Sequence, residues 1–241
     1  MKSTMLFLFG MMLFSTSQIY AQGSLYKNDD FTITEVRVTN KLDLGITVWE
    51  IDVQGTAGKT TPKKIGQLDG APVLGYVFPT SLKSNDVGFG ETDGIVALAL
   101  TSHPDFDDTP LWDENNDRIF DNDGLVWHPH WVILIQDERV AGGLSVKQFK
   151  KAERAVVLPP TNPGMPMYMD SPGYPVTKDQ NTIKVVVPNY RMNHQTGFNY
   201  DAVAAFMQVN TSKENMPMLG VYDVYSIASG DLSLPYTVKN E

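Results

Sequence analysis

An all-β fold is predicted here: a two-sheet antiparallel β-sandwich, jelly-roll or immunoglobulin-like, with long loops and at most one or two short helices. Three observations lead to it. Runs rich in Val, Ile, Tyr, Phe and Thr recur along the chain with turn residues between them. The 15 prolines and 19 glycines interrupt nearly every window long enough for an amphipathic helix. One run alternates cleanly, with Trp49, Ile51 and Val53 on one face and Val48, Glu50 and Asp52 on the other, the pattern of a half-buried strand.

Taken from the N-terminus, residues 1–21 have the three parts of a cleavable export signal. Lys2 is the positive start, an apolar stretch runs from Met5 to Phe14, and small-residue cleavage chemistry ends at Ala21. Residues 22–241 then form one β-rich domain, expected in the periplasm or the extracellular medium. No later stretch has the roughly 20 uninterrupted apolar residues of a transmembrane helix, so no membrane insertion is expected. The chain has no cysteine, so a domain in an oxidising compartment must hold together by its core alone. At this size that is feasible, since roughly 70% of the unfolded surface is buried on folding.

The predicted strands are residues 31–38, 47–53, 73–78, 95–102, 125–136, 155–158, 183–187, 202–209 and 221–227. Two segments compete as helices: 146–154 has good helix formers, and 200–207 is alanine-rich although its Val and Phe also suit a strand. Residues 159–175 are too rich in proline for a regular element and are expected to form an extended surface loop.

Charge narrows the partners. The chain carries 19 basic and 28 acidic residues, a net charge of -9, which becomes -10 when Lys2 leaves with the signal. No basic cluster exceeds Lys63-Lys64 or Lys150-Lys151, so nucleic acid is not an expected partner. The acidity favours cations, and it is concentrated.

Between Asp105 and Asp123 stand Asp105, Asp107, Asp108, Asp113, Glu114, Asp117, Asp121 and Asp123, against a single Arg118. Asp113-x-Asn115-x-Asp117 and Asp121-x-Asp123-Gly124 have the alternate spacing by which a tight loop points oxygens at a hard cation, which suggests calcium. The pattern is not an EF-hand, since counting from Asp113 the sixth position is Arg118 rather than Gly and the twelfth is Gly124 rather than Glu. The competing expectation is a solvated acidic loop of turn-forming Asp and Asn.

Directly after it comes a β-forming run that contains His128-Pro129-His130. Histidines two apart on a strand share a face, roughly 6.5–7 Å apart along the chain. Half of the 4 histidines in the protein are here. Neutral imidazole is a common ligand of zinc, copper and iron, so His128 and His130 are candidate transition-metal ligands, with His103, Asp105 or the more distant His194 to complete the set. Whether His103 shares their face depends on strand register. The bland alternative places them as polar core residues beside Trp127 and Trp131.

Met165-x-Met167-x-Met169 resembles thioether spacing for copper(I), with packing the weightier explanation. Trp112, inside the acidic loop, is a candidate surface contact for a glycan or for another envelope protein. Standard catalytic signatures are missing: there is no G-x-S-x-G elbow, phosphate loop or H-E-x-x-H. The sequence therefore points to an exported metal-binding β-sandwich. The alternatives are a calcium-stabilised recognition module and a metal-dependent hydrolase or oxygenase.

Overall fold

The computed structural model describes residues 22–107, 112–120, 122–150 and 156–241. The proposed export signal and Asp108 and Asp121 of the acidic loop lie outside them. Among the described residues fourteen strands follow in order: β1 (Ile33–Lys41), β2 (Ile46–Val53), β3 (Pro72–Pro79), β4 (Ile95–Ser102), β5 (His128–Gln136), β6 (Leu144–Val146), β7 (Met169–Asp170), β8 (Val176–Asp179), β9 (Thr182–Pro188), β10 (Asn199–Tyr200), β11 (Val203–Val209), β12 (Leu219–Ile227), β13 (Tyr236–Thr237) and β14 (Lys239–Asn240).

The all-β class is observed, but the sandwich is not. β4, β3, β11, β12, β6 and β5 are hydrogen-bonded in that order, and β5 pairs back onto β4, which closes a six-stranded barrel with β7 attached to β5. A second, five-stranded sheet, β14-β1-β2-β9-β8, packs on the outside of the barrel. Closure needs local curl, and β11 carries two register shifts against β12, between Ala204 and Ala205 and between Phe206 and Met207. Bulges of this kind bend a strand and increase its twist. The seam is slender, because β6 reaches β12 through the single pair Gly220–Ser145 and reaches β5 through three.

Two cores follow from strand alternation. Outward-facing Leu74, Tyr76, Phe78, Leu98, Leu100, Trp131, Ile133 and Phe206 of the barrel meet Trp49, Ile51, Val53, Ile183, Val185 and Val187 of the five-stranded sheet. Trp49 is at the centre, with ring centroids 5.2 Å from Phe198, 5.3 Å from Phe78 and 5.9 Å from Trp131. Inside the barrel the side chains are smaller: Val73, Val77, Ala97, Ala99, Val132, Leu134, Ala205 and Val221, with Met207 among them. Gly75 makes room for Met207, whose methyl group occupies the place where a Cβ would stand.

Of the helix alternatives, 200–207 fails and 146–154 is described only as far as residue 150. Residues 200–207 enter β11, because pairing on both sides with β3 and β12 satisfies the backbone while Val and Phe suit the pleat. In 146–154 the described part leaves β6 at Val146 and continues without helix to residue 150. The described residues 156–158 of the predicted strand 155–158 carry no strand either, and the proline-rich 159–175 loop contributes only β7.

A candidate metal centre at one end of the barrel

His128 and His130 open β5. The pairs Thr101–His128 and Ala99–His130 set the register of β4 against β5 and turn both imidazoles into the barrel. Two residues beyond Thr101, His103 falls on the same face, and the register question is answered: the three histidines are buried and their ligand atoms lie within 4.8 Å of one another. Trp127 and Trp131 point the other way, into the outer core.

The rings are oriented by backbone carbonyls. His103 Nδ1 is 2.8 Å from the Phe106 oxygen, and His128 Nδ1 is 2.6 Å from the Val126 oxygen. His130 Nδ1 lies 3.3 Å from the Asp170 carbonyl oxygen and 3.1 Å from Ser171 Oγ. A carbonyl can only accept, so in His103 and His128 the proton belongs on Nδ1, and each neutral ring presents its lone pair at Nε2. Those two Nε2 atoms are 3.0 Å apart. Two lone pairs at that separation repel unless a proton or a cation is shared between them. The separation is close to the roughly 3.3 Å edge of a tetrahedron built on 2.0–2.1 Å zinc–nitrogen bonds. Donation of the distal N–H to a carbonyl is also the usual way in which metal-binding imidazoles are fixed.

The acidic loop returns over this group. The His103 N–H donates to the Gly124 carbonyl at 2.6 Å and Ser102 Oγ donates to the Leu125 carbonyl at 2.8 Å, so the two ends of the loop are tied together. Gly124 is required there, because a Cβ would clash with the carbonyl oxygens of His103 and Phe106 and press on His103 Nδ1. Burial pushes the Glu114 carboxyl above its ordinary value, nearby His128 opposes this, and Asp123, Asp107 and Asp113 add to the rise. Glu114 is thus close enough to His128 for their charges to interact, and a carboxylate so placed favours positive charge beside that ring.

Among the described oxygen candidates Asp105 stands apart, whereas Asp113, Asn115, Asp117 and Asp123 are linked to one another by hydrogen bonds. Asp105 points away, its carboxylate accepting the backbone N–H groups of Ile65 and Gly66. Both Asp113 oxygens accept backbone N–H groups, from Asp117 and Arg118. Asp117 accepts from the Ile119 backbone and from the Asn115 and Asn122 amides. Asp123 is fully buried; its Oδ1 accepts from the Asn115 N–H, and its Oδ2 has no partner among the described residues. His194 is exposed at φ +57° and stands apart from the three buried histidines.

Asp170 and Ser171 were not foreseen as neighbours of His130. The proline-rich loop supplies the Asp170 carbonyl and Ser171 to His130, and Asp170 itself is fully buried, accepting from Thr161 Oγ at 2.6 Å. One signal for it was available, since Asp170 is the single charged residue in 159–175. Met165, Met167 and Met169 line a cavity of about 20 Å³ with His103, Phe106 and His130. Trp112 is 41% exposed and leans on Gly173, which has φ +65° and no room for a Cβ. Thr101 is buried, and its hydroxyl has no partner among the described residues, which costs about 1–3 kcal/mol in a dry interior.

No helix among the described residues is long and apolar enough to cross a membrane. The class defined by these features is a closed β-barrel with a buried three-histidine group able to hold a metal ion. Comparison with protein-family models, with curated proteins and with solved structures gives no match.

Proposed function

We propose that this chain is an exported protein that holds one transition-metal ion, zinc, copper or iron, through Nε2 of His103, His128 and His130. The 3.0 Å approach of two Nε2 atoms, whose rings both direct Nδ1 at carbonyls, carries the reading. Three neutral imidazoles suit these metals, and three protein ligands leave a fourth position for a small molecule. Metal analysis of the purified mature chain after incubation with zinc, copper and iron should find one ion per chain, and His128→Gln/His130→Gln should find none. Both residues are buried, so stability alone does not separate ligand from core and metal content must be the measurement. A wild-type chain that stays metal-free would leave a shared proton as the occupant and overturn the proposal.

The acidic loop is proposed as a separate calcium site. It is supported by the buried Asp123 carboxylate, whose Oδ2 lacks a partner among the described residues, and by the negative charge around Glu114. An ion that binds only the folded chain stabilises it by mass action, so millimolar-range calcium should raise the melting temperature above that in excess chelator. Identical melting in the two conditions would remove calcium from the account.

A further inference from the structure

Small closed barrels are ordinarily filled by their own side chains. This one is not. Above His130 the lumen holds a cavity of about 60 Å³, bordered by Ala99, Val132, Leu134 and Ala205 and reaching Gly142 and Leu232 at the far end of the barrel. An apolar cavity of roughly 150 Å³ holds a benzene molecule, so this smaller one has room for a molecule of about two or three heavy atoms.

Its wall is apolar except beside the histidines. His130 and Thr101 line both this cavity and the small methionine-lined one on the other side of the histidine group. The Thr101 hydroxyl, on a residue 4% exposed, has no hydrogen-bond partner among the described residues. A buried hydroxyl without a partner, at the one polar end of an otherwise apolar chamber, marks a place where a ligand completes the hydrogen bonding.

We infer that the barrel lumen is a ligand chamber for the metal centre, taking one small uncharged molecule of two or three heavy atoms, such as a diatomic gas. The molecule would bind the metal at one end and accept a hydrogen bond from Thr101. Each part of that description has its own reason. The apolar wall disfavours an ion, the volume limits the size, and the single hydroxyl asks for an acceptor at the metal end. The inference rests on the metal reading above.

The test uses the mature chain loaded anaerobically with iron(II) and titrated with nitric oxide, followed by visible absorption and electron paramagnetic resonance. Wild type should bind nitric oxide saturably. Thr101→Val, which removes the hydroxyl and keeps the branched shape, should weaken it about 10-fold, the effect of one lost hydrogen bond to a polarised ligand, with iron affinity unchanged. Ala99→Leu, which fills the lumen, should abolish nitric oxide binding while iron still loads. Xenon under pressure gives a second measurement that needs no metal: it should shift the methyl resonances of Val132 and Leu134 in wild type. Nitric oxide affinity unaffected by Thr101→Val, or xenon that leaves those methyl groups unmoved, would overturn the inference alone. Failure of iron, zinc and copper to load would overturn it together with the metal reading.

Discussion

The two faces of the barrel wall are built from the same strands and packed for opposite ends. On the outside, Trp49, Phe78, Phe198 and Trp131 interlock against the five-stranded sheet, and the largest fully buried side chains among the described residues gather there. On the inside the same strands present Ala97, Ala99, Ala205 and valines around a cavity, with three imidazoles at one end. Close packing of large rings buries much apolar area and so stabilises the fold. A lumen of small side chains forgoes some of that burial and keeps space beside polar groups. The outer face holds the fold together; the inner face is where chemistry is placed.

If that division is right, its two sides should break differently. The largest effect is expected from Trp49→Ala, which empties the centre of the outer core and should cost about 3–5 kcal/mol in a urea titration. A loss below about 1 kcal/mol would mean that the outer face is not the main support.

Gly124→Ala tests the inner side with little change in burial. It pushes on His103 and on its Nδ1–H bond to Phe106, so metal affinity should fall about 10- to 100-fold, the usual consequence of disturbing a residue that orients a ligand. The measurement is competition with a chromophoric chelator. Unchanged affinity would show that the orientation of His103 is unimportant.

A smaller, pH-dependent effect is expected at the seam. Asp137, with its side chain 4% exposed, accepts from Arg139 Nε at 2.8 Å, Arg139 Nη2 at 2.6 Å and Ser145 Oγ at 2.7 Å, and so clamps the turn into β6. Hydrogen bonding to Arg139, against a burial cost, holds its carboxyl down at about 2, below the ordinary 3.8. A depressed carboxylate stabilises the fold fully above the unfolded value and loses that contribution as pH falls from about 3.8 towards about 2. Asp137→Asn should therefore flatten the acid limb of stability in that window, measured by urea midpoints between pH 6 and 2.5. An acid limb as steep as in wild type would place the titrating group elsewhere.

Much of the strand pattern was legible. Residues 95–102 coincide with β4, and the alternation at Trp49, Ile51 and Val53 is the buried face of β2. Barrel closure was not legible, because inward–outward alternation is the same in a sandwich and in a barrel; what differs is which edges pair, and β5 meets β4 across a loop of 25 residues, from 103 to 127. His128 and His130 could be read from a period of two. Asp170 and Ser171 could not, because they reach His130 from some 40 positions away.

The sequence by itself determined the all-β class, the shared face of His128 and His130, and the opposite placement of Trp127 and Trp131, since each follows from local preference and the strand repeat. Tertiary structure alone decided that His103 joins them, that Asp105 does not, and that Thr101 faces a cavity. These depend on register and on the return of a loop, and one residue of slip would have reversed every side chain on the strand.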